Sequence, residues 1–221
     1  MSTTFLIVSL VLVAIFIRLK PFDLLFRTFN TLVHELSHAM VAIIFRQKVQ
    51  KVLLNKNFSG ACDTKIDNRT SMFFISVVGY IFPAVIGYLF VYMSMLNITS
   101  FPFYIILVVS IVALIFFIGN SFGRVWTLFF AGLNLVFILA PIFSPYYKHI
   151  LYIYACILLI ENLLSTLTLI YVTLITSKKS SDAKLLQKIT KIPAIIWCLF
   201  FFSFAVTMLF LSINYIATTN M

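Results

Sequence analysis

Long apolar runs separated by short basic segments organise this chain. Seven runs read as helices: Thr3–Ile17, Phe22–Phe45, Met72–Met95, Phe101–Gly119, Arg124–Phe143, His149–Thr176 and Pro193–Ile216. Most reach the length of about 20 residues that a helix needs to cross a bilayer. The first and fourth are short, which suits tilted, partial or interfacial segments. The pattern predicts an all-α polytopic membrane protein with six to seven transmembrane helices, residues 1–221 forming one membrane unit. Thr3–Ile17 has no basic residue before it and no small-residue cleavage site, so it is expected to be a retained first helix.

Two polar segments break the helical pattern. Val49–Ile66 alternates polar and apolar positions and contains Ser59-Gly60, which predicts a short β-hairpin turning there. Ser181–Ile192 sets Leu185, Leu186, Ile189 and Ile192 at helical spacing, with lysines on the other face. It reads as an interfacial amphipathic turn or two leading into the last span.

Composition removes the soluble classes. The chain is 62% apolar and 10% charged, against about 25% charged residues in an ordinary soluble domain. The net charge of +10 does not point to nucleic acid, because eleven of sixteen Lys and Arg fall in Arg46–Arg69 and Lys178–Lys191, between apolar runs. Such loops are retained on the inner face of a membrane. That rule puts both loops and Arg124 in the cytoplasm, with the N-terminus inside and the C-terminus outside. Cys62, Cys156 and Cys198 are odd in number and form no CxxC, so no disulfide framework is expected.

The chemistry lies in His34-Glu35-Leu36-Ser37-His38. Histidines at i and i+4 share one helix face, so both imidazoles can reach one metal ion. Glu35 projects about 100° around the helix from His34, beside the metal, where it can take a proton from water. Chance placement of three His and two Glu would yield this motif in roughly a few chains per ten thousand. Ionisable groups inside an apolar span are also costly enough to mark function. These arguments predict a Zn2+ site with His34 and His38 as ligands and Glu35 as general base.

A catalytic zinc usually has three protein ligands. Two carboxylates compete for the third place. Glu161 lies deep in the sixth run, and Asp182 lies just beyond its end, so its loop would have to fold back. Depth along the helices leaves both open. Asn30, one turn before His34, suits either substrate or ligand orientation or a helix–helix hydrogen bond. Asn162 shares the sixth run with Glu161, whose burial calls for a polar cavity or a basic partner. His149, beside Tyr146, Tyr147 and Lys148, reads as an interfacial anchor.

Asn30-Thr31-Leu32-Val33-His34-Glu35-Leu36-Ser37-His38-Ala39 resembles the catalytic helix of the site-2 protease-like intramembrane zinc metallopeptidases. The small bacterial branch without a PDZ domain is the most similar. Asn57-Phe58-Ser59-Gly60 resembles the hairpin that follows that helix, and Gly79-Tyr80-Ile81-Phe82-Pro83 the start of the next span. Ser181-Asp182-Ala183, with Ile192-Pro193 and Trp197, resembles a late aspartate-bearing segment. The usual Leu-Asp-Gly is absent, and the resemblance puts Asp182 in its place as third ligand.

The resemblance implies cleavage of a transmembrane or membrane-proximal segment of another protein, in a bacterial cell membrane, with the site toward the cytoplasm. It also implies that the hairpin pairs with an unwound substrate strand, which makes Gly60 and Asn30 substrate-binding candidates. Val52 would then supply one of the main-chain donors for that pairing. The competing reading is a catalytically inactive membrane scaffold or regulator that keeps the fold. A membrane-anchored protease with a soluble catalytic domain lacks the segment to build it, and three histidines cannot make a di-iron centre.

Overall fold

The computed structural model describes residues 3–175 and 181–219; Thr176, Lys178 and Lys179 of the predicted segments lie outside them. Among the described residues are eight α-helices: α1 (Thr3–Phe16), α2 (Phe22–Ile44), α3 (Arg69–Met95), α4 (Ser100–Phe116), α5 (Ser121–Leu139), α6 (Tyr147–Ile175), α7 (Asp182–Thr190) and α8 (Ala194–Thr219). An antiparallel hairpin of β1 (Lys48–Leu54) and β2 (Gly60–Lys65) follows α2. All seven predicted apolar segments are helical, and the amphipathic segment forms α7.

Four helical stretches are long and apolar enough to cross a membrane: Arg69–Met95, Ser121–Leu139, Pro141–Ile175 (α6 with a 3-10 turn, Pro141–Tyr146) and Ala194–Thr219. The chain is a membrane protein. α1 and α4 have 14 and 17 residues, about 21 and 26 Å at 1.5 Å per residue, below the ~30 Å hydrocarbon thickness. α2 has 23 residues but carries Asp23, Arg27 and Glu35, so it is long without being uniformly apolar.

α3 is the central element, packed against α2, α6 and α8. Small residues permit the approach. A Cβ on Gly87 would stand 2.9 Å from Leu159 of α6. α2 and α3 run antiparallel with a register that sets His38 beside Ile75 and His34 beside Gly79. α3 starts on an Asn68 cap whose side chain accepts from Ser71 N–H at 2.7 Å, which fixes the phase of the helix.

A second apolar cluster seats α7. Ala183 and Leu186 are fully buried against Leu169, Cys198 and Phe201. The Ser181 hydroxyl caps the first turn by accepting from Lys184 N–H. At the other end Lys191 takes a left-handed conformation with its N–H on Gln187 O. Gln187 Oε1 then accepts from Ala194 N–H at 2.8 Å, and Trp197 Nε1–H donates to Thr190 Oγ1 at 3.2 Å. These bonds turn the chain back into α8 and keep the N-terminus of α7 inside the bundle.

The hairpin corrects two expectations. Its turn is Asn55–Ser59, where Phe58 takes the left-handed conformation (φ 66°) and Asn57 Oδ1 accepts from Ser59 N–H. Gly60 instead opens β2. The Val52 N–H is not available for a substrate either. It donates to Phe117 O at 2.7 Å, and Gly119 N–H returns to Val52 O at 2.9 Å. One residue pair on, Asn120 spans Leu54, its Nδ2 donating to Leu54 O at 2.6 Å and its Oδ1 accepting from Leu54 N–H at 3.2 Å. The stretch 117–120 thus closes the outer edge of β1, which is why α4 ends at Phe116 and not at Gly119.

Antiparallel strands alternate inward and outward main-chain groups. Val52 and Leu54 direct theirs away from β2, so their partners Cys62 and Gly60 direct theirs away from β1, and Thr64 follows by alternation. Among the described residues no main-chain bond reaches these outward groups, so β2 has the hairpin's open edge.

Asn120→Ala removes both side-chain bonds to Leu54, and the expected loss is about 1–3 kcal/mol for a pair of partly buried main-chain groups. Thermal unfolding in detergent checks this. Asn120→Asp, which keeps the acceptor, should lie between alanine and wild type, and an unchanged alanine midpoint would show that the edge is closed by other means.

Candidate metal centre

His34 and His38 lie on the inward face of α2, about 15 and 9 Å from its C-terminal end at Ile44. Asp182 comes from the first turn of α7. The three side chains meet. His34 Nε2 stands 3.1 Å from His38 Nε2, 3.4 Å from Asp182 Oδ2, and the His38 Nε2–Asp182 Oδ2 distance is 3.5 Å. A tetrahedral ion with bonds of about 2.0–2.1 Å sets neighbouring ligand atoms about 3.3–3.4 Å apart. The observed triangle matches that edge length, so the donor set fits one metal ion.

The surroundings orient the donors. His38 Nδ1–H donates to Ile75 O at 2.6 Å, which fixes the ring with its Nε2 directed at the triangle. The His34 ring lies edge-on to Tyr80, with centroids 4.7 Å apart, and Tyr80 stacks on Phe201 of α8. Gly79 supplies the clearance. A Cβ there would stand 2.6 Å from both imidazoles. Burial alone would raise the Asp182 carboxyl, but the charges and hydrogen bonds of His38 and His34 outweigh it and hold Asp182 ionised well below the usual carboxylate range.

Glu35 is only 6% exposed and faces the hairpin. A Cβ on Gly60 would lie 2.7 Å from Glu35 Cδ. Gly60 is therefore required for the strand to pass the carboxylate, a steric role distinct from the turn that the sequence suggested. Histidines, Glu35 and Asp182 line one cavity of about 450 Å³ with Asn30, the turn residues Phe58 and Ser59, and the β2 residues Gly60, Ala61, Cys62 and Thr64. Asn30 is buried beside them, with its Oδ1 enclosed and unpartnered. The Cys62 thiol is pushed up to about 12 by burial and then by Glu35, Asp63 and Asp182, and it is not among the clustered ligand atoms.

Glu161 stands elsewhere. Its Oε1 accepts from Arg27 Nε–H at 2.9 Å, and it is not among the clustered ligand atoms. Asn162 Nδ2 donates to Tyr80 O, supporting α3 one helical turn before Pro83. Sequence reasoning missed Arg27, although an arginine seven residues before His34 in an apolar helix was a visible signal for a partner to Glu161. It also missed the Ile75 carbonyl, which carries no sequence signal because any residue has one.

A family model described as Peptidase M50B-like matches residues 7–212, nearly the whole chain. No curated protein and no solved structure matches.

Asp182→Asn is expected to weaken metal binding by more than about tenfold, on the scale of changes around metal ligands. Gly79→Ala should do the same by displacing both rings. Glu161→Gln should keep wild-type metal content. Metal analysis after dialysis against a graded chelator distinguishes them, and loss of metal from Glu161→Gln with retention by Asp182→Asn would exchange the two roles.

Proposed function

Because the chain belongs to the M50B-like peptidases of the site-2 protease family, membrane metallopeptidases by kind, we propose that it is a zinc-dependent intramembrane endopeptidase. Its substrate would be a transmembrane or membrane-proximal segment of another protein in the same bilayer. The observation that carries this reading is the convergence of His34, His38 and Asp182 beside a buried glutamate and an open strand edge. Zinc held by His34, His38 and Asp182 would supply a Lewis acid that lowers the pKa of water toward roughly 7.

The chain's own residues account for the remaining requirements. Glu35 accepts the proton of the water that attacks the scissile carbonyl and returns it to the leaving amine nitrogen. Water oxygen bonds to the carbonyl carbon, the C–N bond breaks, and no other reagent is needed. A helical substrate hides its amides, so it must unwind to be cut. The open edge of β2 offers Gly60, Cys62 and Thr64 main-chain groups to such an unwound strand, inside the cavity that holds the glutamate. Pairing of this kind demands little of side-chain sequence. Asn30 lines the same cavity and is the candidate to orient a substrate beyond the strand edge. Basic residues Arg46, Lys48, Lys51 and Lys65 flank the hairpin, which favours an opening toward the cytoplasm.

Glu35→Gln should keep zinc and lose essentially all cleavage of a transmembrane substrate in detergent or liposomes, because an amide cannot take the proton. Near-normal turnover by that variant would end the proposal. For the strand edge, Cys62→Pro deletes an outward N–H without touching the β1 ladder. It should cost about tenfold in kcat/KM, the worth of one main-chain hydrogen bond, while Cys62→Ala costs much less and both keep zinc. Equal losses from the two would point to packing at Cys62 and away from pairing.

A further inference from the structure

We propose that Arg27 and Glu161 form, with Phe58, a clamp that fixes the hairpin turn and so sets the height of the β2 edge above the metal ligands. The argument begins at Phe58. A non-glycine residue is disfavoured in the left-handed region, and Phe58 occupies it with φ 66° at the turn leading into β2. Two contacts from α2 hold it there. Thr31 Oγ1–H donates to Phe58 O at 2.9 Å, and the Arg27 guanidinium carbon lies 4.0 Å from the Phe58 ring centroid. Arg27 and Thr31 are four residues apart on one helix face, so they grip the turn from the same side.

Arg27 is itself fixed from the opposite side. Its Nε–H donates to Glu161 Oε1 at 2.9 Å, and the Glu161 side chain is 5% exposed. A guanidinium that is oriented by a buried carboxylate can present its flat face to a ring, which a lone flexible arginine would do only part of the time. The chain of contacts thus runs from α6 through Arg27 to Phe58, and two residues later the backbone is Gly60, against Glu35. Phe58, Ser59 and Gly60 all line the cavity. Arg27, Glu161 and Phe58 are therefore positioning residues for the strand edge, and the Arg27–Glu161 pair explains a buried ion pair that metal binding does not use. The effect on substrate rests on the endopeptidase reading; the tethering of the turn does not.

Hydrogen–deuterium exchange of the full-length protein in detergent reads the tether directly. Arg27→Met and Phe58→Leu should each speed exchange across residues 55–65 by about tenfold, the scale of one partly desolvated cation–π contact. The double variant should exceed neither single one by much, since both remove the same contact, and Phe58→Tyr should remain close to wild type. Zinc content should not change. With a transmembrane substrate, KM should rise about tenfold by the same loss while kcat stays within about twofold. Unchanged exchange at 55–65, or faster exchange throughout α2 and α6, would overturn the clamp. Raised exchange with unaltered KM would overturn its role in positioning substrate. A wild-type protein that cleaves nothing while the exchange pattern holds would overturn the endopeptidase reading and leave the clamp standing.

Discussion

Three ligand atoms drawn from helices 144 residues apart in sequence, 38 to 182, must meet within hydrogen-bonding distance inside an apolar bundle. Each of these groups is costly to remove from water. Much of the fold follows from placing them together. α3 must pass so close to α2 that only glycine is admitted at position 79, and it must offer the Ile75 carbonyl to His38 at the same register. α7 must be turned inward, which requires the cap at Ser181, the left-handed stop at Lys191 and the apolar seat of Ala183 and Leu186. None of these features stabilises much alone. Together they orient three side chains that would otherwise repel or remain hydrated.

The hairpin obeys a different constraint, that of strand edges. An open edge is a ready template for another chain. Here one edge is closed from within, by Phe117, Gly119 and the Asn120 side chain, which imitates a strand residue against Leu54. The other edge is left open only where it borders the cavity. On the proposed function, a substrate strand would pair there, beside Glu35.

Much of this was legible in the chain itself. Apolar runs marked the helices, alternation marked the hairpin, and the i, i+4 histidines with Glu35 marked the chemistry, because each is a local pattern with a fixed geometric meaning. What escaped was non-local. Nothing near Val52 reveals that its N–H is taken by Phe117, since that pairing spans 65 residues. Ser59-Gly60 looked like a turn because glycine suits turns, yet Phe58 carries the positive φ and Gly60 serves the clearance of Glu35. Depth along ideal helices could not choose between Asp182 and Glu161, because the position of Asp182 depends on how α7 packs and not on its distance from a membrane boundary.

Charge gives those two carboxylates separate fates. Glu161 makes an ion pair with Arg27 through Oε1. Asp182 and Glu35 share a cavity whose lining includes no lysine or arginine, so the imidazoles of His34 and His38 are the basic groups beside them. On the proposed function, a divalent ion held by His34, His38 and Asp182 would add positive charge beside both carboxyl groups. Arg27 is tied to Glu161 and covered by the Phe58 ring, and it is not among the residues that line the cavity of Glu35 and Asp182.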